Sequence, residues 1–118
     1  MTEHLRQPVV AAVEEQDHAV VVRLAGELDL YNADEVRETL DRVCARDPGR
    51  VIVDLADVSF IDSTGLGVLV EARSKLTDRK TFILSGPQPE TRRALEISGL
   101  AKHMPIFEQL EQALGAPL

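Results

Sequence analysis

Residues 51–70, which read VIVDLADVSFIDSTGLGVLV, decide the fold of this chain of 118 residues. Residues 50–55 (RVIVDL) form a short, strongly apolar run, which is typical of a central strand buried on both faces. Residues 62–67 (DSTGLG) then combine an acid, two hydroxyl groups and two glycines, and an apolar helical pattern continues to about Thr77. A buried strand that leads through a short loop into a helix predicts an α/β fold.

Two valine-rich runs precede this segment, at residues 9–14 and 19–25, and their spacing predicts a β-hairpin. Residues 26–29 (GELD) predict a turn-like break after the second of these strands. An amphipathic pattern then predicts a helix from Tyr31 to Ala45, with Asn32 as its N-cap. The hairpin is expected to supply an antiparallel edge to the sheet.

The remaining third of the chain alternates between strand and helix patterns. We predict a strand at residues 80–85, a helix at about 90–98 that ends at a left-handed Gly99, a short strand at 104–107 and a final helix at 108–114. This order predicts a mixed sheet with helices on one or both faces. Its later strand pairs are expected to be parallel and connected by right-handed crossovers.

The length and composition predict a single domain over residues 1–118 that can bury one core, because 44% of the residues are hydrophobic and 28% are charged. The formal net charge of −7 argues against direct binding of nucleic acid, which needs clustered Lys and Arg. One cysteine, Cys44, permits no intrachain disulfide and deprives a zinc site of its usual thiolates. Neither a signal-peptide pattern nor an apolar run of about 20 residues is present, so we expect a cytoplasmic protein without a membrane partner.

The segment Asp62-Ser63-Thr64-Gly65-Leu66-Gly67 has two interpretations on its local pattern. Asp62 and Ser63 are good capping residues, and capping alone is favoured roughly two to one because such caps are common. Alternatively, Ser63 lies at a helix N-terminus, where backbone N–H groups and the helix dipole accommodate an anion. The pattern contains neither the dinucleotide fingerprint nor a phosphate-binding P-loop, so no nucleotide cofactor is predicted.

Three motifs together give the chain a family resemblance. They are Gly26-Glu27-Leu28-Asp29, the segment from Asp62 to Gly67, and Ser98-Gly99-Leu100 before a short strand and helix. In combination and spacing they resemble the anti-sigma factor antagonists of the STAS family, over about Val9 to Leu114. The resemblance implies an α/β fold with a STAS-like mixed β-sheet, an N-terminal antiparallel hairpin and about four packed helices.

The resemblance also implies a function in bacterial partner switching. Members of the family bind an anti-sigma factor that is also a serine kinase, and this binding frees the sigma factor. The kinase phosphorylates the serine that follows the aspartate of the motif, here Ser63, and the modified protein releases its partner until a phosphatase resets it. ATP and magnesium are bound by the partner. The expected partner surface around Ser63 consists of Asp29, Asp62, Thr64, Gly65, Leu66 and Gly67.

Two other functions remain open on the sequence. A STAS-type domain can be an unphosphorylated scaffold subunit of a stress-signalling or transport complex. A small enzyme could use Ser63 as a nucleophile, although no Gly-x-Ser-x-Gly elbow surrounds it. For Asp29, a role at the partner surface and a role as a turn residue are about equally supported.

The other polar candidates are assigned structural or solvated roles. Asp54 in a strand and Asp57 in a loop are expected to be capping or solvated residues, since their spacing matches no calcium loop. The histidines His4, His18 and His103 are expected to be solvated. Cys44 lies on the apolar stripe of the first helix and is expected to be a small buried hydrophobe.

Overall fold

The computed structural model describes residues 8–16 and 18–117. In this part of the chain, five strands form one sheet in the order β1-β2-β3-β4-β5: β1 is Val10–Gln16, β2 Ala19–Leu28, β3 Arg50–Ile61, β4 Phe82–Ser85 and β5 Ile106–Phe107. Four α-helices connect or follow them: α1 is Ala33–Ala45, α2 Ser63–Ser74, α3 Pro89–Ser98 and α4 Leu110–Gly115. The predictions for residues 1–7, including His4, lie outside the described residues.

The predicted mixed sheet is confirmed. β1 and β2 pair antiparallel, whereas β2–β3, β3–β4 and β4–β5 are all parallel pairs. One face of the sheet packs against α1, α2 and α3 in the main core, and α4 packs on the opposite face over a smaller apolar cluster. Because β2 and β3 are parallel neighbours, the segments that follow them emerge at the same edge of the sheet.

β2 and β3 are longer than the sequence predicted. The pairing continues past the predicted strand ends, with Gly26 opposite Val58 and Leu28 opposite Ile61. The register shifts twice in this part of the pair, and Gly26 adopts a positive φ of 83°. Such bulges interrupt the two-residue alternation of side chains. The predicted turn at residues 26–29 and the predicted loop position of Asp57 are therefore wrong.

Smaller differences concern other boundaries. β4 begins at Phe82, two residues later than predicted, because Arg79–Thr81 form a 3₁₀ turn. α2 ends at Ser74 and so does not reach Thr77, although Leu76 beyond it is buried. Gly99 has the predicted left-handed conformation after α3, with a φ of 87°.

Asp54 has a different environment from the predicted one. It is 7% exposed on the sheet face that carries α4, and its Oδ2 accepts a hydrogen bond from Arg23 Nη1 at 2.8 Å. Its Oδ1 accepts from Ala56 N at 3.1 Å and from Ser85 Oγ at 3.4 Å. Asp54 is thus a buried ion-pair residue, and the prediction of a capping or solvated role is wrong.

Arg50 fastens α4 to the beginning of β3. Its Nη1 donates to Ala113 O at 2.6 Å and its Nη2 donates to Ala116 O at 2.7 Å. These carbonyl groups belong to the last turn of α4 and the residue after it, which have no partner within the helix. A helix of six residues has little stability by itself. The hydrogen bonds from Arg50 and the burial of Ala113 therefore hold α4 in place.

Cys44 is buried, as predicted, and is 1% exposed. Burial, assisted by the charge of Asp41, raises the pKa of its thiol to about 11. A thiol of this pKa has roughly 200-fold less thiolate at pH 8 than an ordinary cysteine of pKa about 8.5. We therefore expect iodoacetamide to label the native protein at pH 8 at least about 200-fold more slowly than the unfolded protein in guanidinium chloride. Labelling at comparable rates in the two states would contradict the burial of this thiol.

Candidate functional site

The candidate site lies where two chain segments leave the same edge of the sheet. Residues 29–32 connect β2 to α1, and residues 62–67 carry the chain from β3 into α2. The two segments are joined directly, because Asp62 N donates to Leu28 O at 3.1 Å. These ten residues are called the junction surface below.

Asp62 is the N-cap of α2, as predicted, and both of its carboxylate oxygens are used within the domain. Oδ1 accepts a hydrogen bond from Gly65 N at 2.9 Å, which satisfies one of the free amides at the helix start. Oδ2 accepts from Leu30 N at 3.2 Å and so reaches across to the other segment. The half-buried carboxylate therefore fixes the two halves of the junction surface relative to each other.

Ser63 is the first residue of α2 and is exposed. The first turn of α2 contains no acidic side chain, so the N-cap carboxylate of Asp62 supplies the negative charge at the positive end of the helix dipole. Thr64, the next hydroxyl residue, is only partly exposed. An anion on Ser63 would thus meet backbone N–H groups and a favourable dipole without displacing a buried side chain.

The two glycines of the motif have different environments. Gly65 is buried, and a Cβ at this position would lie 2.7 Å from Leu28 Cγ and 2.8 Å from Leu28 O. Gly67 is partly exposed, and a Cβ there would meet no atom within 4 Å. Gly65 is therefore required for packing inside the domain, whereas Gly67 leaves an open surface one turn along the helix. Leu66, between them, is partly buried against the main core.

Asp29 and Asn32 hold the other segment in a reciprocal turn. Asp29 Oδ1 accepts from Tyr31 N at 3.0 Å and Asn32 N at 3.3 Å, and Asn32 Oδ1 accepts from Asp29 N at 2.9 Å. Asn32 Nδ2 also donates to Glu27 O. The turn role of Asp29 is thus present in the structure. Asn32 lies at the N-cap position of α1, as predicted, but its side chain makes no capping hydrogen bond.

The most exposed apolar side chains of this surface are two that the sequence pattern did not indicate. Leu30 is 66% exposed and Tyr31 is 83% exposed, at the tip of the turn that Asp29 and Asn32 hold. Tyr31 was assigned to the start of the helix, and Leu30 was not singled out. Two large apolar residues between polar turn residues were the signal that could have identified them.

α1 and α2, which begin at the junction surface, are linked along their exposed sides. Arg37 Nε lies 3.1 Å from Glu71 Oε2, and Lys75 also pairs with Asp41. The hydrogen bond to Glu71 is the main cause that raises the pKa of Arg37, and Asp34 adds to it. These ion pairs are exposed and screened by solvent, so they contribute little to the stability of the domain.

The described residues contain no cluster of metal-binding type at the junction surface. Among residues 8–16 and 18–117, no three His, Cys, Asp or Glu side chains are grouped so as to hold a metal ion. In the same residues, His18 and His103 are exposed, and neither forms a hydrogen bond with Ser63. No described helix has the length and apolar character needed to cross a membrane.

Comparison with known proteins gives a consistent result over almost the whole chain. The model of the STAS domain matches residues 10–113. An anti-sigma F factor antagonist of Paenibacillus polymyxa is 36% identical over 107 residues, which cover 86% of this chain and 91% of the relative.

Solved structures agree with the sequence relatives. The crystal structure of an anti-sigma factor antagonist from Mycobacterium paratuberculosis superposes with a TM-score of 0.84 at 33% identity, over 89% of this chain and 90% of that one. The anti-sigma factor antagonist SpoIIAA in its unphosphorylated form gives a TM-score of 0.73 at 27% identity, over 87% and 91% of the two chains. The phosphorylated form of Bacillus SpoIIAA gives 0.66 at 27% identity, over 87% and 95%. These matches confirm the resemblance that the sequence motifs indicated.

Proposed function

Because this chain belongs to the STAS domain family, we propose that it acts as an anti-sigma factor antagonist, which binds an anti-sigma factor and thereby releases a sigma factor. The observation that carries the proposal is an exposed Ser63 at the capped start of α2, in a chain that aligns along most of its length with proteins of that name. Its activity is regulatory binding. Since sigma factors act on RNA polymerase, the protein is assigned to the cytoplasm.

The anti-sigma factor is proposed to be the serine kinase that modifies this protein. In that reaction, Ser63 Oγ attacks the γ-phosphorus of ATP, the hydroxyl proton is lost to a base of the kinase or to water, and ADP leaves. The kinase supplies the ATP and magnesium sites. This chain supplies the acceptor hydroxyl and, through the junction surface, the contacts that present it.

Phosphorylation is proposed to end binding by changing the charge at the centre of the interface. A phosphoserine carries about −1.5 to −2 charges at pH 7, and burial of these charges against a partner is unfavourable unless they are paired. The free protein tolerates them because Ser63 is exposed at a helix N-terminus. The modified domain therefore stays folded while the complex dissociates, and a phosphatase that removes the phosphate restores binding.

Phosphorylation of Ser63 is tested by incubating the protein with its cognate anti-sigma factor and ATP, followed by mass spectrometry of proteolytic fragments. We expect one phosphate, on Ser63, and none in the Ser63→Ala variant. Ser74→Ala is the matched control, because it removes an exposed serine hydroxyl at the other end of α2, outside the junction surface, and is expected to leave the modification unchanged. A phosphate found only at another residue would refute this assignment.

The identity of the partner separates the proposal from the other two functions. Affinity purification of the unmodified protein from its native cells is expected to recover an anti-sigma factor. Recovery of a transporter or of other scaffold subunits in its place would support a structural role. A serine-directed covalent probe is expected to leave Ser63 unmodified, since no described histidine is bonded to it as a base.

A further inference from the structure

We propose that the anti-sigma factor binds the exposed pair Leu30 and Tyr31, which is called the apolar anchor below. We also propose that Asp62 positions this anchor relative to Ser63. The proposal rests on the proposed function and adds to it the residues that determine the affinity for the partner. The occupant of the surface is the anti-sigma factor, through an apolar pocket edged by basic side chains.

The exposure of the two side chains is the first argument. Leu30 and Tyr31 are adjacent, are 66% and 83% exposed, and lie beside the segment that begins with Asp62 and Ser63. Tyrosine is enriched among the few interface residues that carry most of the binding energy, because it buries a large ring and keeps a polar end. Exposed apolar residues that are adjacent and continuous with a modification site are therefore candidates for such a role.

The rigidity of the backbone that carries them is the second argument. Leu30 N donates a hydrogen bond to Asp62 Oδ2, and Tyr31 N donates a hydrogen bond to Asp29 Oδ1. The turn is closed further by the reciprocal bonds between Asp29 and Asn32. A turn fixed in this way has little backbone freedom left to lose on binding, so contacts by its side chains contribute more fully to affinity.

The charge around the pair indicates the chemistry of the partner's pocket. Three acidic side chains, Glu27, Asp29 and Asp34, lie in or beside the turn together with the neutral Asn32, and the whole chain has a formal net charge of −7. The nearest basic side chain on α1, Arg37, is already paired with Asp34 and Glu71. A complementary surface is therefore apolar where it meets Leu30 and Tyr31, and its basic side chains are paired with Glu27 and Asp29.

Asp62 connects the apolar anchor to Ser63, the proposed phosphorylation site. One oxygen of its carboxylate caps the helix that starts with Ser63, and the other holds the amide of Leu30. The apolar anchor and the backbone of Ser63 are thus kept at a fixed separation. A partner that binds the anchor therefore meets Ser63 in one position. A phosphate added there lies within the docked interface.

The anchor is tested by measuring the affinity of the unmodified protein for its anti-sigma factor by titration calorimetry. We expect Tyr31→Ala to weaken binding by at least about 30-fold and Leu30→Ala by about 10-fold, in the range of interface hot spots. Ile97→Ala is the matched control. Ile97 is 75% exposed near the end of α3, which leads from the carboxyl end of β4 back toward the amino end of β5, away from the junction surface. This control is expected to bind like the wild type.

The positioning role of Asp62 is tested with Asp62→Asn. Asparagine is an equally good N-cap and its Oδ1 can still accept from Gly65 N, but its Nδ2 cannot accept from Leu30 N. We expect helix content to be retained, the Leu30 amide to exchange with solvent at least about 10-fold faster, and affinity to fall by about 5–10-fold. Unchanged exchange at Leu30 together with unchanged affinity would overturn the positioning role.

The outcomes distinguish this proposal from the function on which it rests. If the wild type binds its anti-sigma factor and the Leu30→Ala and Tyr31→Ala variants bind as tightly, the anchor is refuted and the proposed function stands. If the wild type binds no anti-sigma factor at all, the proposed function itself is refuted.

Discussion

Gly65→Ala is expected to lower the free energy of unfolding by about 2 kcal/mol. Alanine is normally the better helix residue, by about 1 kcal/mol. Here, however, its Cβ would lie 2.7 Å from Leu28 Cγ and 2.8 Å from Leu28 O, distances at which one group has to move. The second of these atoms belongs to the backbone of β2, which cannot shift without disturbing its pairing with β3. Overpacking of this kind destabilises by about 1–3 kcal/mol or more, which exceeds the gain in helix propensity.

Gly67→Ala is the matched control for Gly65→Ala, since it makes the same substitution two residues along the same helix. A Cβ at Gly67 meets no atom within 4 Å, so only the gain in helix propensity of up to about 1 kcal/mol remains. Urea unfolding followed by circular dichroism measures both effects. Changes of the same sign in the two variants would contradict the close approach of α2 to β2 at Gly65.

Ser63→Asp is expected to weaken binding to the anti-sigma factor by about 100-fold while leaving the fold at least as stable. The added carboxylate lies at the first position of α2, where negative charge is stabilised by about 0.3–1 kcal/mol. In the complex the same charge is desolvated at the centre of the proposed interface, where an unpaired charge typically costs about 2–5 kcal/mol. Stability and affinity therefore change in opposite directions, which a merely misfolded variant could not produce.

Ser98→Asp is the control that separates the effect of the position of the added charge on affinity from the effect of total charge. Ser98 is an exposed serine at the end of α3, and its replacement changes the net charge by the same unit. Binding is expected to stay within about twofold of the wild type. An equal loss of affinity in both variants would mean that total charge, and not its location at Ser63, controls the interaction.

Much of the fold could be predicted because its signals are local. The strand of residues 50–55, the stripe of α1 and the left-handed Gly99 each depend on neighbouring residues, and all three are present in the structure. The added lengths of β2 and β3 could not be predicted in this way. They depend on pairing between strands distant in sequence, and the bulges near Gly26 remove the alternation that would have indicated a strand.

The candidate site was predictable in part for the same reason. Asp62 as the N-cap of α2 follows from residue type and position alone. That Gly65 serves the packing of α2 on Leu28 depends on a contact between distant segments, and so does the bond from Leu30 to Asp62. A side-chain capping bond from Asn32 was expected, but Asn32 Oδ1 accepts a hydrogen bond from the backbone amide of Asp29.

The turn at residues 29–32 separates the hydrogen bonds that the fold requires from the side chains that we propose a partner recognises. Its backbone is fixed by Asp29, Asn32 and Asp62, whereas the side chains of Leu30 and Tyr31 point to solvent and are free of the core. Sequence drift at these two positions can thus alter recognition without disturbing the domain or the chemistry at Ser63. Under the proposed function, related domains that differ at these two positions would bind different partners while they keep the same acceptor serine.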